Sequence, residues 1–327
     1  MYDVPETGSK ELAKTVDHTV LKLDVRKEGV DALCSEARTE NFKSVCVRLP
    51  WVQRCVSNLK GSDVVVACVV GFHEGTQDTY SKLREARAAV AAGAKELDIV
   101  LNHSILTKHN RSTPPTHPTS PKHTRDSTAD TITAANTAAN SRPTNGATVA
   151  EGPYSAREDE IPDYSAIYRE LASLRSLCPS PTTLKLILET SQLTEAQIIA
   201  AAHLAAAANI DFIKTSTGFN GPGATLPHVK LMVTAAEYLS TKTPSNGGSP
   251  VRAGGKKMEV KASGGIRGLE DARKMLEAGA TRLGTSSGVW IMQEGRSVVE
   301  QKKKGNEGNN DRPGATRLYT DDSVGGY

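Results

Sequence analysis

The sequence has few cysteines, little net charge and no long apolar run, and each shortage argues against a class of protein. Its five cysteines are odd in number and show no C-x-x-C spacing, which argues against a disulfide framework or a zinc site and favours reduced thiols in the cytoplasm. Lysine and arginine total 40 against 37 acidic residues, and the formal charge of +3 is too small and too scattered to indicate nucleic-acid binding. No apolar run reaches membrane-spanning length, and the N-terminus lacks the basic and apolar regions of a secretory signal.

What the sequence does contain is an alternation of short apolar or β-branched runs with Ala-rich helical segments, the pattern of a parallel sheet covered by helices. Eight strand-like runs occur: Thr15–Leu21, Ser44–Val47, Val64–Val70, Glu96–Leu101, Leu184–Glu189, Phe212–Thr215, Glu259–Ser263 and Arg282–Thr285. Eight strands, each followed by a helical pattern, predict an α/β fold of the closed (β/α)8 TIM-barrel type. An open doubly wound sheet is the alternative.

Three stretches interrupt this alternation. Residues 107–160 are dense in Thr, Pro, Ser and Asn with almost no large apolar residue, so we expect a disordered insertion after the fourth strand. Residues 241–257 suggest a shorter loop insertion before the seventh strand, and residues 295–327, which end in Tyr327, suggest a flexible tail. Residues 1–294 are therefore predicted to form a single barrel domain.

A lysine, Lys214, stands where the sixth predicted strand should end. Burial of an ammonium group is costly, so it lowers the pKa and favours the neutral amine, which can attack a carbonyl group. The Thr-Ser-Thr-Gly run that begins at Thr215 adds hydroxyls and backbone N–H groups that can hold an anionic substrate. The segment is interpreted as a nucleophile site.

The seventh predicted strand repeats this layout, with Lys261 ahead of a loop of small residues. Functional residues of a barrel lie at the carboxyl ends of its strands, so both lysines should point into one cavity. Two cations in one cavity are expected to depress each other's pKa.

Three further charged residues lie inside predicted strands. Asp98 is flanked by apolar residues, and a carboxylate so placed is either half of a buried ion pair or a general acid/base; the nearby lysines favour the second role. Asp17 and Lys185 fit the same description, and for these two a structural pairing is an equal alternative to substrate binding.

Glycine and serine residues after the last two strands predict a phosphate site. Gly264 and Gly265 follow the seventh strand, and the loops after strands seven and eight commonly bind phosphate in barrels. The other candidates in these loops and in the loop after the sixth strand are Gly218, Gly284, Ser286 and Ser287. The partner implied is a small phosphorylated molecule.

Several blocks of this sequence resemble the deoxyribose-phosphate aldolase family, and together they span most of the chain outside the predicted insertions. They are TVDHTVLK at 15–22, VVGFHEGTQDTYSKLREARAAVAAGAKELDIVLN at 69–102, LKLILETSQLT at 184–194, DFIKTSTGFNGPGAT at 211–225 and VKASGGIRGLEDARKMLEAGATRLGTSSGVWIM at 260–292. The last two blocks are the most specific.

The resemblance implies a class I aldolase on a (β/α)8 barrel. The implied reaction is the reversible cleavage of 2-deoxy-D-ribose 5-phosphate to D-glyceraldehyde 3-phosphate and acetaldehyde, without a metal or other cofactor, in deoxyribose phosphate catabolism. On the matching positions Lys214 would form the Schiff base, Lys261 would perturb its pKa and Asp98 would move protons.

The sequence departs from the family pattern at three places. The loop Val47–Trp51 is one residue longer than expected, His73 replaces a usual proline, and the insertion at residues 107–160 is far larger. The altered loops keep two alternatives open, a Schiff-base aldolase for another phosphorylated aldehyde and a barrel that binds sugar phosphates without turnover. The sequence does not fix whether the chain forms a homo-oligomer.

Overall fold

The computed structural model describes residues 2–107, 161–241, 251 and 256–304, with side chains as far as residue 301. The expected insertion at 107–160, the expected loop at 241–257 and the end of the expected tail, including Tyr327, lie for the most part outside these described residues. The barrel unit comprises the chain up to Thr107 and from Asp163 onward.

Eight parallel strands close into a barrel, which confirms the predicted (β/α)8 fold. The open sheet is excluded because the first strand pairs with both the second and the eighth. The strands are β1 (Val16–Thr19), β2 (Ser44–Val47), β3 (Val65–Val70), β4 (Glu96–Val100), β5 (Thr183–Ile187), β6 (Phe212–Lys214), β7 (Glu259–Ser263) and β8 (Arg282–Thr285). Nearly every strand residue is buried, because one face points into the barrel and the other towards the helices.

Helices connect the strands and cover the outside of the barrel. They are α1 (Lys10–Ala13), α2 (Lys27–Glu40), α3 (Val52–Asn58), α4 (Thr79–Ala91), α5 (Ser104–Thr107), α6 (Tyr164–Leu177), α7 (Glu195–Ala207), α8 (Leu226–Thr241), α9 (Leu269–Glu277) and α10 (Gly288–Lys304). Local sequence sets several of their ends. The Asp78 side chain accepts the Ser81 N–H at the start of α4, and Thr194 and Gln197 form a complete capping box at the start of α7.

Helix α10 continues beyond Gly295, so the prediction that the flexible tail begins there is wrong for residues 295–304. The helix packs closely against the N-terminal segment at this point, since a Cβ atom on Gly295 would lie only 2.7 Å from the Gly8 backbone nitrogen. The next residue, Arg296, makes two hydrogen bonds to Glu40 at 2.7 and 2.8 Å. These contacts involve residues far apart in sequence, which composition does not reveal.

The apolar core lies mainly between the strands and the helix ring, where residues such as Leu33, Leu97 and Ile198 are completely buried. A smaller apolar cluster consists of Leu21, Cys46, Ala67 and Val69, with Phe72 packed against it. The centre of the barrel is filled differently. Charged side chains of β1, β4, β5, β6, β7 and β8 meet there in ion pairs, in place of the branched apolar layers usual in such barrels.

Candidate active site

Lys214 is the last residue of β6, and its amine joins the charged cluster through Asp98. Its Nζ donates to Asp98 Oδ2 at 2.9 Å, and only 2% of the residue is exposed. Burial lowers the pKa of Lys214, and the charge of Lys261 lowers it further, although Asp98 opposes both. The structure therefore increases the fraction of neutral amine, the form that attacks a carbonyl carbon.

Lys261 is the register partner of Lys214 on β7 and shares its carboxylate. Its Nζ donates to Asp98 Oδ2 at 2.8 Å and to Asp17 Oδ2 at 2.6 Å. Burial acts to lower the pKa of Lys261, but Asp17 and Asp98 together outweigh burial and raise it. The expectation that the two lysines depress each other's pKa is thus wrong for Lys261, which stays cationic because it has a second carboxylate.

Asp98 is completely buried and contacts three lysines. Besides Lys214 and Lys261 it accepts from Lys185, whose Nζ lies 2.7 Å from Oδ1. Burial acts to raise the pKa of Asp98, but the three cations hold it well below its usual range. The carboxylate is ionised at neutral pH, so in the resting state it orients the lysine amines and has no proton to supply.

The structure places Asp17 and Lys185 inside this ion-pair network, without solvent exposure. Lys185 also lies 2.6 Å from Glu96, and Asp17 accepts from Arg282 at 2.7 Å. These contacts favour the structural pairing over direct substrate binding for both residues. They still act on the site, because Asp17 keeps Lys261 charged.

Sequence reasoning missed Glu96 and Arg282 as members of the network. The Arg282 guanidinium joins Glu96 at 2.9 Å and lies 5.2 Å from the centre of the Phe212 ring. The signal was available, since Glu96 stands two residues before Asp98 on β4 and must point to the same side of the strand.

The glycine loops meet beside the lysines. A Cβ on Gly264 would lie 2.8 Å from Gly223 Cα and 3.5 Å from Gly218 Cα, so the loops after β6 and β7 touch through their backbones. Gly265 has φ 76° and open space around its Cβ position, which leaves its backbone accessible to a ligand. Small residues are required here for close packing, and an anion can approach the backbone of Gly265.

Gly284 and Thr215 serve the site differently from their predicted roles. A Cβ on Gly284 would lie 3.0 Å from Lys261 Cε and 2.8 Å from Ser263 Cβ, so the missing side chain makes room for the lysine. The Thr215 hydroxyl donates to the Ser263 carbonyl and accepts its N–H, both at 3.0 Å, and so joins β6 to β7. Gly284 therefore serves to fit Lys261, and the Thr215 hydroxyl is taken up by Ser263.

Ser286 and Ser287 precede α10, as predicted. Ser286 is half-buried, and the Ser287 N–H donates to Thr285 Oγ1 at 2.9 Å. The Ser287 carbonyl accepts the Ile291 N–H at 3.0 Å, which makes the pair the entry to a 17-residue helix. The N-terminus of such a helix favours an anion.

The two altered loops take part in aromatic contacts. The His73 ring stacks on Phe219 with centroids 5.2 Å apart, and Phe72 meets the same ring edge-on at 5.1 Å. Arg48 donates to the Leu21 carbonyl at 2.7 Å, and its guanidinium lies 4.9 Å from the centre of the Phe72 ring. The loop after β3 therefore contacts the loop after β6, which carries Phe219.

Cys46 lies against the carboxylate with its Sγ 3.9 Å from Asp98 Oδ2. Burial, followed by the charge of Asp98, raises the pKa of this thiol to about 11, so it remains protonated. All five cysteines are free and buried. Within the described ranges, no group of three or more His, Cys, Asp and Glu residues could hold a metal ion, and no helix is long and apolar enough to cross a membrane.

Comparison with known proteins identifies a family for this chain. The family model described as DeoC/LacD family aldolase matches residues 118–294. A deoxyribose-phosphate aldolase of Coccidioides immitis is 36% identical over 295 residues, which cover 90% of this chain and 84% of the relative. A deoxyribose-phosphate aldolase of Staphylococcus epidermidis is 37% identical over 281 residues, which cover 86% of this chain and 95% of the relative.

Solved structures agree with this grouping. A crystal structure from Coccidioides immitis has a TM-score of 0.67 and 35% identity, and the match covers 90% of this chain and 88% of that one. The tetrameric deoxyribose phosphate aldolase of Aeropyrum pernix has a TM-score of 0.62 over 89% of this chain and 94% of that one. Its identity to this chain is 24%, so it supports the fold alone.

Proposed function

This chain belongs to the DeoC/LacD family of aldolases, and on that basis we propose that it is a deoxyribose-phosphate aldolase with Lys214 as its Schiff-base residue. The reaction is the reversible cleavage of 2-deoxy-D-ribose 5-phosphate to D-glyceraldehyde 3-phosphate and acetaldehyde. The observation that carries the proposal is the buried Lys214 amine, whose pKa is lowered at the carboxyl end of a barrel strand.

The first step needs a neutral amine. Each pKa unit by which Lys214 is lowered raises the neutral fraction about tenfold at pH 7, which corresponds to about 1.4 kcal/mol. The Lys214 nitrogen attacks the C1 aldehyde of the open-chain sugar, and loss of water gives a protonated imine. Lys261 assists by remaining cationic within reach of the same Asp98 oxygen, which disfavours a second positive charge on the free amine.

The protonated imine then accepts the electrons of the C2–C3 bond. A base removes the proton of the C3 hydroxyl, the C2–C3 bond breaks, and glyceraldehyde 3-phosphate leaves while C1 and C2 become an enamine. Protonation at C2 and hydrolysis of the imine release acetaldehyde and restore the amine. Asp98 is the proposed proton carrier, directly or through water, because it is the carboxylate in contact with both lysines.

The phosphate group is assigned to the loops after β7 and β8. Gly265 offers accessible backbone, and Ser286 and Ser287 stand at the N-terminus of α10. These features together favour a dianionic ligand at the end of the barrel where Lys214 lies. A role in deoxyribose phosphate catabolism in the cytoplasm remains a prediction, as does self-association, which sedimentation analysis would measure.

Borohydride trapping tests the proposal. The full chain is incubated with 2-deoxyribose 5-phosphate, reduced, digested and mapped by peptide mass. We expect the reduced adduct on Lys214 and none in a Lys214→Met variant. An adduct on Lys261, or on neither lysine, would overturn the assignment, and product analysis with acetaldehyde as donor separates this reaction from that of an aldolase for another phosphorylated aldehyde.

A further inference from the structure

We propose that Glu189 is a positioning residue, whose buried carboxylate holds the loop after Lys214 in the shape that binds the phosphorylated part of the substrate. The inference rests on the proposed aldolase function and adds a residue to it. Glu189 lies just beyond β5 and is 1% exposed. The sequence pattern predicts it only as the end of the fifth strand.

The carboxylate of Glu189 accepts hydrogen bonds from one turn of the neighbouring loop. Its Oε2 accepts the Thr217 hydroxyl at 2.5 Å, and the Thr217 N–H lies 3.3 and 3.4 Å from the two carboxylate oxygens. The Thr217 hydroxyl in turn accepts the Phe219 N–H at 3.1 Å. One carboxylate thus fixes the backbone on both sides of Gly218.

The backbone of Glu189 is itself unusual. With φ 58° and ψ 61° it adopts the left-handed conformation, which costs free energy for a residue with a side chain. The other non-glycine residues with positive φ in the described ranges are asparagines at helix C-termini, Asn41 and Asn209, where this conformation is common. Glu189 has no such local reason, and the conformation allows its carboxylate to reach Thr217.

The charge environment of Glu189 differs from that of the other buried acids. Asp17, Glu96 and Asp98 each lie within ion-pair distance of a lysine or arginine, whereas no ion pair of Glu189 is found in the described part of the chain. Burial raises the pKa of Glu189, which the hydrogen bonds from Thr217 and the charge of Lys214 oppose. Glu189 is close enough to Lys214 to be affected by its charge, but its hydrogen bonds come from the neutral N–H and hydroxyl of Thr217, so its carboxylate is suited to ordering that loop.

The ordered loop connects the nucleophile to the glycine contacts. It starts at Lys214 and includes Gly218, whose Cα would lie 3.5 Å from a Cβ on Gly264. A shift of the Thr217–Phe219 turn would move the loop against the glycines expected to face the phosphate. Loss of the Glu189 carboxylate should therefore weaken recognition of the phosphorylated substrate more than the reactivity of Lys214.

The test compares Glu189→Ala and Glu189→Gln with Glu195→Gln, which changes a nearby exposed glutamate in the first turn of α7. Two ratios are measured on the full chain. The first is kcat/KM for 2-deoxyribose 5-phosphate over kcat/KM for 2-deoxyribose. The second is borohydride trapping of acetaldehyde on Lys214, relative to the parent chain.

In Glu189→Ala we expect the substrate ratio to fall about tenfold, mainly through a higher KM, and trapping to stay within about twofold. In Glu189→Gln the substrate ratio should fall only about threefold, because the amide oxygen can still accept the Thr217 N–H. If Glu189→Ala does not fold, the substrate ratio of Glu189→Gln alone tests whether the carboxylate positions the loop. Glu195→Gln should change neither ratio.

Two results would overturn the inference. An unchanged substrate ratio in both Glu189 variants would show that the carboxylate does not position the loop. Parallel losses of trapping and of turnover on both substrates, with the same KM, would assign Glu189 to the fold alone. The proposed function fails in a different way, namely if the parent chain itself traps no acetaldehyde on Lys214.

Discussion

Lys214 and Lys261 donate to the same oxygen, Asp98 Oδ2, at 2.9 and 2.8 Å, yet their pKa values shift in opposite directions. The two side chains are chemically identical and both are completely or almost completely buried. The difference is the second carboxylate, Asp17, which lies 2.6 Å from Lys261. Lys214, which among the described carboxylates contacts Asp98 alone, is thus kept reactive, whereas Lys261, which contacts both Asp98 and Asp17, is kept charged.

Replacing Lys261 should move the acid limb of the pH profile. In Lys261→Leu, the pKa of Lys214 rises because a neighbouring cation is lost and Asp98 has one partner fewer, so the limb of kcat/KM moves to higher pH. At pH values below the Lys214 pKa, kcat/KM falls about tenfold for each unit by which that pKa rises. Lys261→Arg keeps the charge and should keep the limb, and kinetics from pH 5 to 9 would measure both. A loss confined to KM would identify Lys261 as a phosphate ligand instead.

Removing Lys214 should abolish turnover and stabilise the fold. Its folded pKa is below the unfolded value, so it costs stability at all pH values below the folded pKa, and the cost disappears above the unfolded pKa near 10.4. Lys214→Met should raise the free energy of unfolding at pH 7 by about 1 kcal/mol, measured by urea denaturation. The gain should shrink as the pH approaches 10.

Lys185→Met provides the matched control of opposite sign. Burial acts to lower the pKa of Lys185, but Asp98, Glu96 and Asp17 raise it. Its stabilising contribution is therefore present below the unfolded pKa and is lost only at high pH. Removal should cost about 3–5 kcal/mol at pH 7, since three buried carboxylates lose a partner. Equal effects of the two lysine substitutions would contradict the charge assignments.

Asp17→Asn should destabilise the barrel at neutral pH by about 3–5 kcal/mol, because Lys261 and Arg282 lose a buried partner. The folded pKa of Asp17 is lowered, so its contribution is present above the unfolded pKa near 3.9 and is lost as pH falls through the folded pKa. The difference in free energy of unfolding between Asp17→Asn and the parent chain, measured by urea denaturation, should accordingly become smaller at acidic pH. Asp31→Asn, which breaks an exposed pair with Arg54, should have little effect at any pH.

Gly284→Ala should impair catalysis by crowding Lys261. The new methyl group would lie 3.0 Å from Lys261 Cε and 2.8 Å from Ser263 Cβ, so one of them must shift. We expect kcat to fall about tenfold or more and stability to fall by about 1–3 kcal/mol. Gly268→Ala is the control, because its methyl group would meet the Glu294 carboxylate, which accepts the Leu269 N–H, and not Lys261. Unchanged kcat in Gly284→Ala would show that the position of Lys261 is not critical.

Much of the fold could be predicted because its signals are local. Three strands, Ser44–Val47, Glu259–Ser263 and Arg282–Thr285, have the predicted bounds, and the others differ by one or two residues at one or both ends. Apolar runs, Ala-rich segments and caps such as Thr194 act within a few residues of chain. The tail boundary at Gly295 was wrong because the α10 helix is stabilised by residues at the other end of the sequence.

The sequence by itself determined the eight-strand barrel, the positions of Lys214 and Lys261 at the ends of β6 and β7, and the small residues that follow them. Only the tertiary structure decided which lysine is charged, that Gly284 makes room for Lys261, and that Glu189 bonds to Thr217. The reason is physical: a pKa or a close contact depends on groups within a few ångströms. Barrel closure brings Asp17 to Lys261 across 244 positions of sequence, and no local pattern encodes that approach.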